Sequence, residues 1–123
     1  MDAELLNFIR ASINSTWALE LLLLMRRQRP RAFQPEELVL ALRGTNTLVN
    51  TCLDQLLKSG LVARNEAGEW LYAPASPALE ELVAQLESAY AEKPVSVINA
   101  IVASPNDRLK SFADAFKLPK KDD

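Results

Sequence analysis

Histidine is absent from the chain, and cysteine occurs once, at Cys52. Without histidine there is no Ser-His-Asp triad and no histidine-ligated zinc, and a lone thiol makes neither an internal disulfide nor a multi-cysteine metal cluster. Glycine is nearly as scarce. Gly44, Gly60 and Gly68 each fall where the chain is expected to turn, and none belongs to a Gly-rich phosphate cradle. No catalytic residues, metal or cofactor are therefore expected. Positive charge is not in excess either, with 14 basic against 16 acidic residues and a net charge of -2, so no global field draws the chain to nucleic acid or an anionic membrane. Any nucleic-acid contact has to come from a local patch. Long apolar runs are missing too: "WALELLLLM" reaches roughly half the length a membrane-spanning helix needs and contains Glu20. "MDAELLNFIR" lacks the basic-then-apolar order of a secretory signal, so a cytoplasmic protein with no membrane partner is expected.

What is present is ordinary globular material: 123 residues, 49% hydrophobic and 24% charged, enough for one core. Leu5, Ile9, Ile13, Trp17, Leu21 and Leu24 recur three or four apart and predict an amphipathic helix over residues 4–27, with Asn14, Ser15 and Thr16 marking a kink or a break into two. Pro30 and the surrounding arginines end it, and a short extended piece is expected at residues 31–33. Gln34 and Pro35 open a second helix, "PEELVLALR", which Gly44 is expected to stop. Thr45 or Asn46 caps the next, whose inner face is Val49, Leu53 and Leu56, and which Gly60 ends in a left-handed turn.

"LVARNEAGEWLYAP" reads as a β-hairpin around Gly68, with Trp70 and Tyr72 in its second strand. An acidic amphipathic helix follows, with Leu79, Leu82, Val83, Leu86 and Tyr90 on one face. "PVSVINAIVA" is so apolar that a fully buried helix is expected. Ser104, Pro105 and Asp107 start a last helix, "NDRLKSFADAF", with Leu109, Phe112, Ala113 and Phe116 on one side. No linker or repeat interrupts the chain. It reads as a single domain, 1–123, with a core over 17–74, a helical extension over 77–118 and a fraying tail over 119–123.

Helix, short strand, helix, turn, helix and hairpin is the order of a winged helix-turn-helix. The segment "PEELVLALRGTNTLVNTCLDQLLKSGLVARNEAGEWLY" resembles that superfamily most clearly, in a helix ending with Leu53, Leu56, Gly60, Leu61 and Val62 followed by a wing. In style it is similar to bacterial transcriptional regulators of the MarR and ArsR type. The resemblance covers about a third of the chain and rests on a packing motif, which speaks to fold more than to function. It implies a mainly α fold with a small β-hairpin wing and additional N- and C-terminal helices, the latter dimerising two copies. It also implies a recognition helix over 46–58 that enters the major groove of double-stranded DNA.

On that helix Asn46, Thr47, Asn50 and Thr51 would meet bases. Asparagine pairs with adenine through two hydrogen bonds, and threonine reaches a thymine methyl or a phosphate. Asp54 on the same face repels phosphate or asks for a cytosine amino group. Phosphate contacts are expected from Arg26, Arg27, Arg29 and Arg31, together with Arg43, Lys58 and Arg64. Against this stand the blander readings. The arginines suit a solvated helix end, the polar face of the helix suits plain solvent, and the wing tip "RNEAGE" is acidic. The acidic helix, with Glu80, Glu81, Glu87 and Glu92, is expected to point away from any DNA, as a solvated face or toward a basic partner. Cys52 reads as a small core hydrophobe, and Trp17, Phe33, Trp70, Tyr72, Phe112 and Phe116 as core aromatics.

Two functions of different class follow: a homodimeric DNA-binding transcriptional regulator, or a module that keeps the fold, binds no DNA and docks a protein partner such as a component of the transcription machinery. In a third, the helices "PVSVINAIVA" and "RLKSFADAF" exchange between two copies.

Overall fold

The computed structural model describes residues 2–102. Among them are six helices and one hairpin: α1 (Ala3–Ser12), α2 (Thr16–Arg27), α3 (Pro35–Leu42), α4 (Asn46–Lys58), β1 (Val62–Arg64), β2 (Trp70–Tyr72), α5 (Pro77–Glu92) and α6 (Pro94–Val102). The chain is mainly α with a small hairpin, an arrangement compatible with a winged helix. The expected helix over 106–116 and the tail lie outside the described residues.

The stripe predicted over residues 4–27 belongs to two helices that meet at 105°. Ser15 explains the break: its Oγ accepts the Ala18 N–H at 3.1 Å and so starts a new helix. A restart shifts the phase of the pattern. Ile9 and Ile13 are buried as expected, but Trp17 leaves the stripe and stands 41% exposed, while Ala18, Leu19, Leu21, Leu22, Leu23 and Met25 go inside. Continuing one period through the break is what misplaced Trp17.

Caps made by short polar side chains set the other starts. Asp2 Oδ1 accepts from Leu5 N at 2.8 Å, Thr45 Oγ1 from Leu48 N at 3.1 Å and Ser76 Oγ from Leu79 N at 3.2 Å. At α3 the Glu37 carboxylate accepts the Gln34 N–H at 2.8 Å, with Pro35 in the first turn. Its stop differs from the expectation: Arg43, not Gly44, takes the left-handed conformation, at φ 57°. Gly44 donates its N–H to Val39 O at 3.1 Å and lets the chain pass close to Trp17 and Leu48.

The hairpin pairs Val62 with Tyr72, Ala63 with Leu71 and Arg64 with Trp70, antiparallel. Asn65 shapes its tip, since its Oδ1 accepts from Ala67 N at 3.0 Å and Glu69 N at 2.9 Å, and Gly68 supplies φ 82°. The extended piece before α3 joins this sheet by one bridge. Phe33 and Trp70 exchange both backbone hydrogen bonds, at 2.7 and 2.8 Å.

One cluster of buried residues runs from Leu5 on α1 to Ile101 on α6 and includes Phe33, Trp70 and Tyr72. The full burial expected of α6 holds for one side only. Val97, Ala100 and Ile101 are inside, whereas Val95 and Val102 are 68% and 54% exposed.

Gly60 closes α4 at φ 77°, and its carbonyl accepts the Ala75 N–H at 2.8 Å, so one left-handed residue joins helix, hairpin and the approach to α5. A Cβ there would sit 3.4 Å from Ala75 Cβ in a conformation that costs an L-residue about 1–2 kcal/mol. Gly60→Ala should therefore lower stability by at least that amount in urea denaturation. Gly44→Ala, which has no left-handed backbone to strain, should lose less.

Candidate nucleic-acid interface

Burial of Val49, Cys52, Leu53 and Leu56 decides how α4 is rolled. The opposite side carries Asn46, Thr47, Asn50, Thr51, Asp54 and Lys58, all exposed. The four candidate base readers thus share the first two turns of one helix as an uncharged hydrogen-bonding strip. Gln55 holds the roll in place, its Nε2 donating to Ser12 O at 2.7 Å and to Ser59 Oγ at 3.1 Å. Cys52 is buried beneath the strip, and desolvation pushes its thiol above the ordinary value despite a hydrogen bond with Ser15. A thiol shifted in that direction is a poor nucleophile.

The arginines divide into two groups. Arg26 and Arg27, at the end of α2, are held by α5. Arg26 is 11% exposed, donating to Glu80 Oε2 at 2.9 Å and to Glu87 Oε1, while Arg27 Nε donates to the other Glu87 oxygen at 3.0 Å. Tyr72 joins this group by donating its hydroxyl to Glu80 Oε1 at 2.7 Å. The acidic helix, expected to point away from any DNA, spends two of its carboxylates on these arginines. Arg26, the expected phosphate contact nearest the core, is thereby occupied.

The second group surrounds the aromatic bridge. Arg64 lies over the Trp70 ring at 4.9 Å from its centre, and Arg31 over the Phe33 ring at 4.6 Å. Because Phe33 pairs with Trp70 and Trp70 with Arg64, the three side chains share one face of the sheet. Both guanidinium groups are exposed. Arg31 is also tied to Glu37 at 2.6 Å and to Gln28 at 2.8 Å, and Arg64 to Gly68 O at 3.3 Å. Arg29 caps α2 by donating to Arg26 O at 2.7 Å and stays exposed. Arg43 and Lys58 stand exposed at the two ends of α4. Five of the seven candidate phosphate contacts are thus clear of α5: Arg29, Arg31, Arg43, Lys58 and Arg64.

Sequence reasoning missed the Arg26–Glu80–Tyr72 group and the hydrogen bond that Tyr90 Oη donates to Glu20 Oε2 at 2.6 Å. Their members lie 8 to 70 residues apart in the chain, and no local pattern links them. Among the described residues, no group of three or more Cys, Asp or Glu side chains is placed to hold a metal ion.

Glu80 gives this network a pH dependence. The Tyr72 hydroxyl, and then Arg26, hold its carboxyl below the ordinary 4.5 against partial desolvation. A depressed carboxyl stabilises the fold above its unfolded value and stops doing so as the pH falls through the lower folded value. The stability gap between the parent and Glu80→Gln, read from urea midpoints, should be widest near neutrality and close as the pH drops below 4.5. A gap that is constant with pH would deny Glu80 this role.

Comparison of the chain with protein-family models, with curated proteins and with solved structures gives no match, so its function has to be argued from these side chains.

Proposed function

We propose that the chain binds double-stranded DNA as a transcriptional regulator of the winged-helix kind, in the style of MarR and ArsR proteins, with the first half of α4 in the major groove. One observation carries this reading: Asn46, Thr47, Asn50 and Thr51 lie together and exposed on the outer face of α4, with Arg43 before them and Lys58 after them. Asn46 and Asn50 offer the paired donor and acceptor that match adenine N7 and N6, and the threonines offer a methyl and a hydroxyl. Arg31 and Arg64, exposed above the Phe33 and Trp70 rings, offer guanidinium groups to phosphates at the wing side. Arg29 adds a further cation. Arg26 is left out because Glu80 and Glu87 hold it in a largely buried position; Arg27 and Arg31 are exposed and each paired with one carboxylate, Glu87 and Glu37, which a phosphate has to displace.

A protein-docking module remains as the second reading, favoured by exposed apolar side chains close to the same helices. Leu40 on α3 is 79% exposed, and Trp17 and Leu57 are also on the surface. Single exposed hydrophobics are common, so this observation weighs less than the assembled strip on α4.

Fluorescence anisotropy with random-sequence duplex DNA separates the two. A DNA binder releases counterions and loses affinity steeply with salt, by nearly one power of salt concentration per phosphate contacted. Arg31→Ala and Arg64→Ala should each lower that salt slope by about 1, whereas Asn50→Ala should leave the slope unchanged and flatten the preference among sequences. Absence of binding even at low salt, with and without the substitutions, would transfer the case to protein docking.

A further inference from the structure

Helix α4 contains one acidic residue, Asp54, and nothing in the fold calls for it there. Aspartate is a poor helix former at an interior position. Lys58, four positions on, is the expected compensation, but Asp54 belongs to none of the ion pairs formed among the described residues. Its direction is fixed as well. Leu53 before it is fully buried, and Gln55 after it is tied to Ser12 O at 2.7 Å and to Ser59 Oγ at 3.1 Å, so the exposed carboxylate is held away from the core. Projected down a helix of about 3.6 residues per turn, Asp54 falls between Asn46 and Asn50 on one side and Thr47 and Thr51 on the other. It stands at the middle of the outer face, where a carboxylate stabilises nothing.

We infer that Asp54 is the specificity-determining residue of this face: it accepts a hydrogen bond from the exocyclic amino group of a cytosine and rejects the other bases at that position. The inference rests on α4 lying in the major groove, as proposed above. Two physical facts select the role. An ionised carboxylate can only accept, and cytosine is the base whose major-groove edge offers a donor with no acceptor beside it. Adenine sets N7 next to its amino group, guanine offers O6 and N7, and thymine offers O4, so each of these turns an acceptor toward the carboxylate. The second fact is repulsion. Wherever Asp54 finds no donor, the phosphates of both strands oppose it, so it weakens binding to every other sequence. Asp54 lies eight positions beyond Asn46, about 12 Å along the axis, and stacked base pairs are about 3.4 Å apart. The cytosine is therefore expected about three to four base pairs from the base that Asn46 meets.

The test enriches bound sequences from a randomised duplex pool with the full chain, with Asp54→Asn and with Asp54→Ala. Each protein is then titrated onto random-sequence duplex by fluorescence anisotropy at low salt. The parent should prefer cytosine at one position by about tenfold over the other bases. Asp54→Asn should move that preference to adenine, because an amide both donates and accepts as the adenine edge requires, and Asp54→Ala should leave the position open. Both variants should also bind random-sequence duplex more tightly than the parent, by about threefold or more, since a charge of the same sign as the phosphates is gone. Loss of an ordinary base contact has the opposite sign. Asp54 is exposed, so equal urea midpoints should accompany these changes and exclude a change of fold as their cause. A selected site that is the same for all three proteins, or variants that bind random duplex no more tightly than the parent, would overturn the role of Asp54 and leave the DNA-binding reading standing. No binding by the parent or by either variant would remove that reading, and this inference with it.

Discussion

Helix α2 buries Leu19, Leu21, Leu22, Leu23 and Met25 completely, so apolar side chains leave it in nearly every direction along its middle. A helix of that kind must be covered from several sides at once, and each buried Leu or Met contributes on the order of 2 kcal/mol only if the cover excludes water. Helices α3 and α4 and strand β2 supply cover directly. The rest of the arrangement follows from that need. Once α4 has given Val49, Leu53 and Leu56 to the shared core, its remaining side is obliged to face outward, and the polar strip from Asn46 to Thr51 is displayed as a result.

The polar end of α2 has a matching effect on the charges. Arg26 leaves the last buried turn in a position too enclosed for free solvation, and a partly buried charge is tolerated when it is paired and hydrogen-bonded. Glu80 and Glu87 meet most of that need from α5 while Arg26 Nε stays without a partner, and Tyr72 holds Glu80 from β2, so one small group ties together α2, the hairpin and the acidic helix. The same ties enclose the charge of Arg26 and pair that of Arg27, as Glu37 pairs that of Arg31. The other cations are dispersed: Arg31 and Arg64 beside the hairpin, Arg29 at the end of α2, Arg43 and Lys58 at the ends of α4. A DNA binder built this way depends on hydrogen-bond readout and a few well-placed cations more than on a broad basic field.

Much of the fold was legible because it depends on neighbours in sequence. Gly60 announced a left-handed stop, Asn14, Ser15 and Thr16 a kink or a break, Thr45 or Asn46 a helix start, and the alternation at Trp70 and Tyr72 a strand. The roll of α4 was legible too, since a spacing of four and three puts Val49, Leu53 and Leu56 on one side whatever they pack against. Trp17 was misread because the phase of a helix is reset at a cap, and α6 because composition measures how apolar a segment is without saying which of its sides has a neighbour. Arg43, not the glycine after it, took the left-handed position, and Gly44 donates its N–H to Val39 O.

The sequence by itself determined the mainly helical class, the hairpin, the absence of histidine chemistry and the identity of the polar strip, because caps, turns and periodicity act over a few residues. Only the tertiary structure decided which arginines the acidic helix claims, since the carboxylates that hold Arg26 and Arg27 stand more than fifty residues away and charge pairing across that distance is set by packing. It likewise decided that Arg31 and Arg64 gather at one aromatic bridge, because Phe33 and Trp70 meet only when the extended piece before α3 is laid against the hairpin.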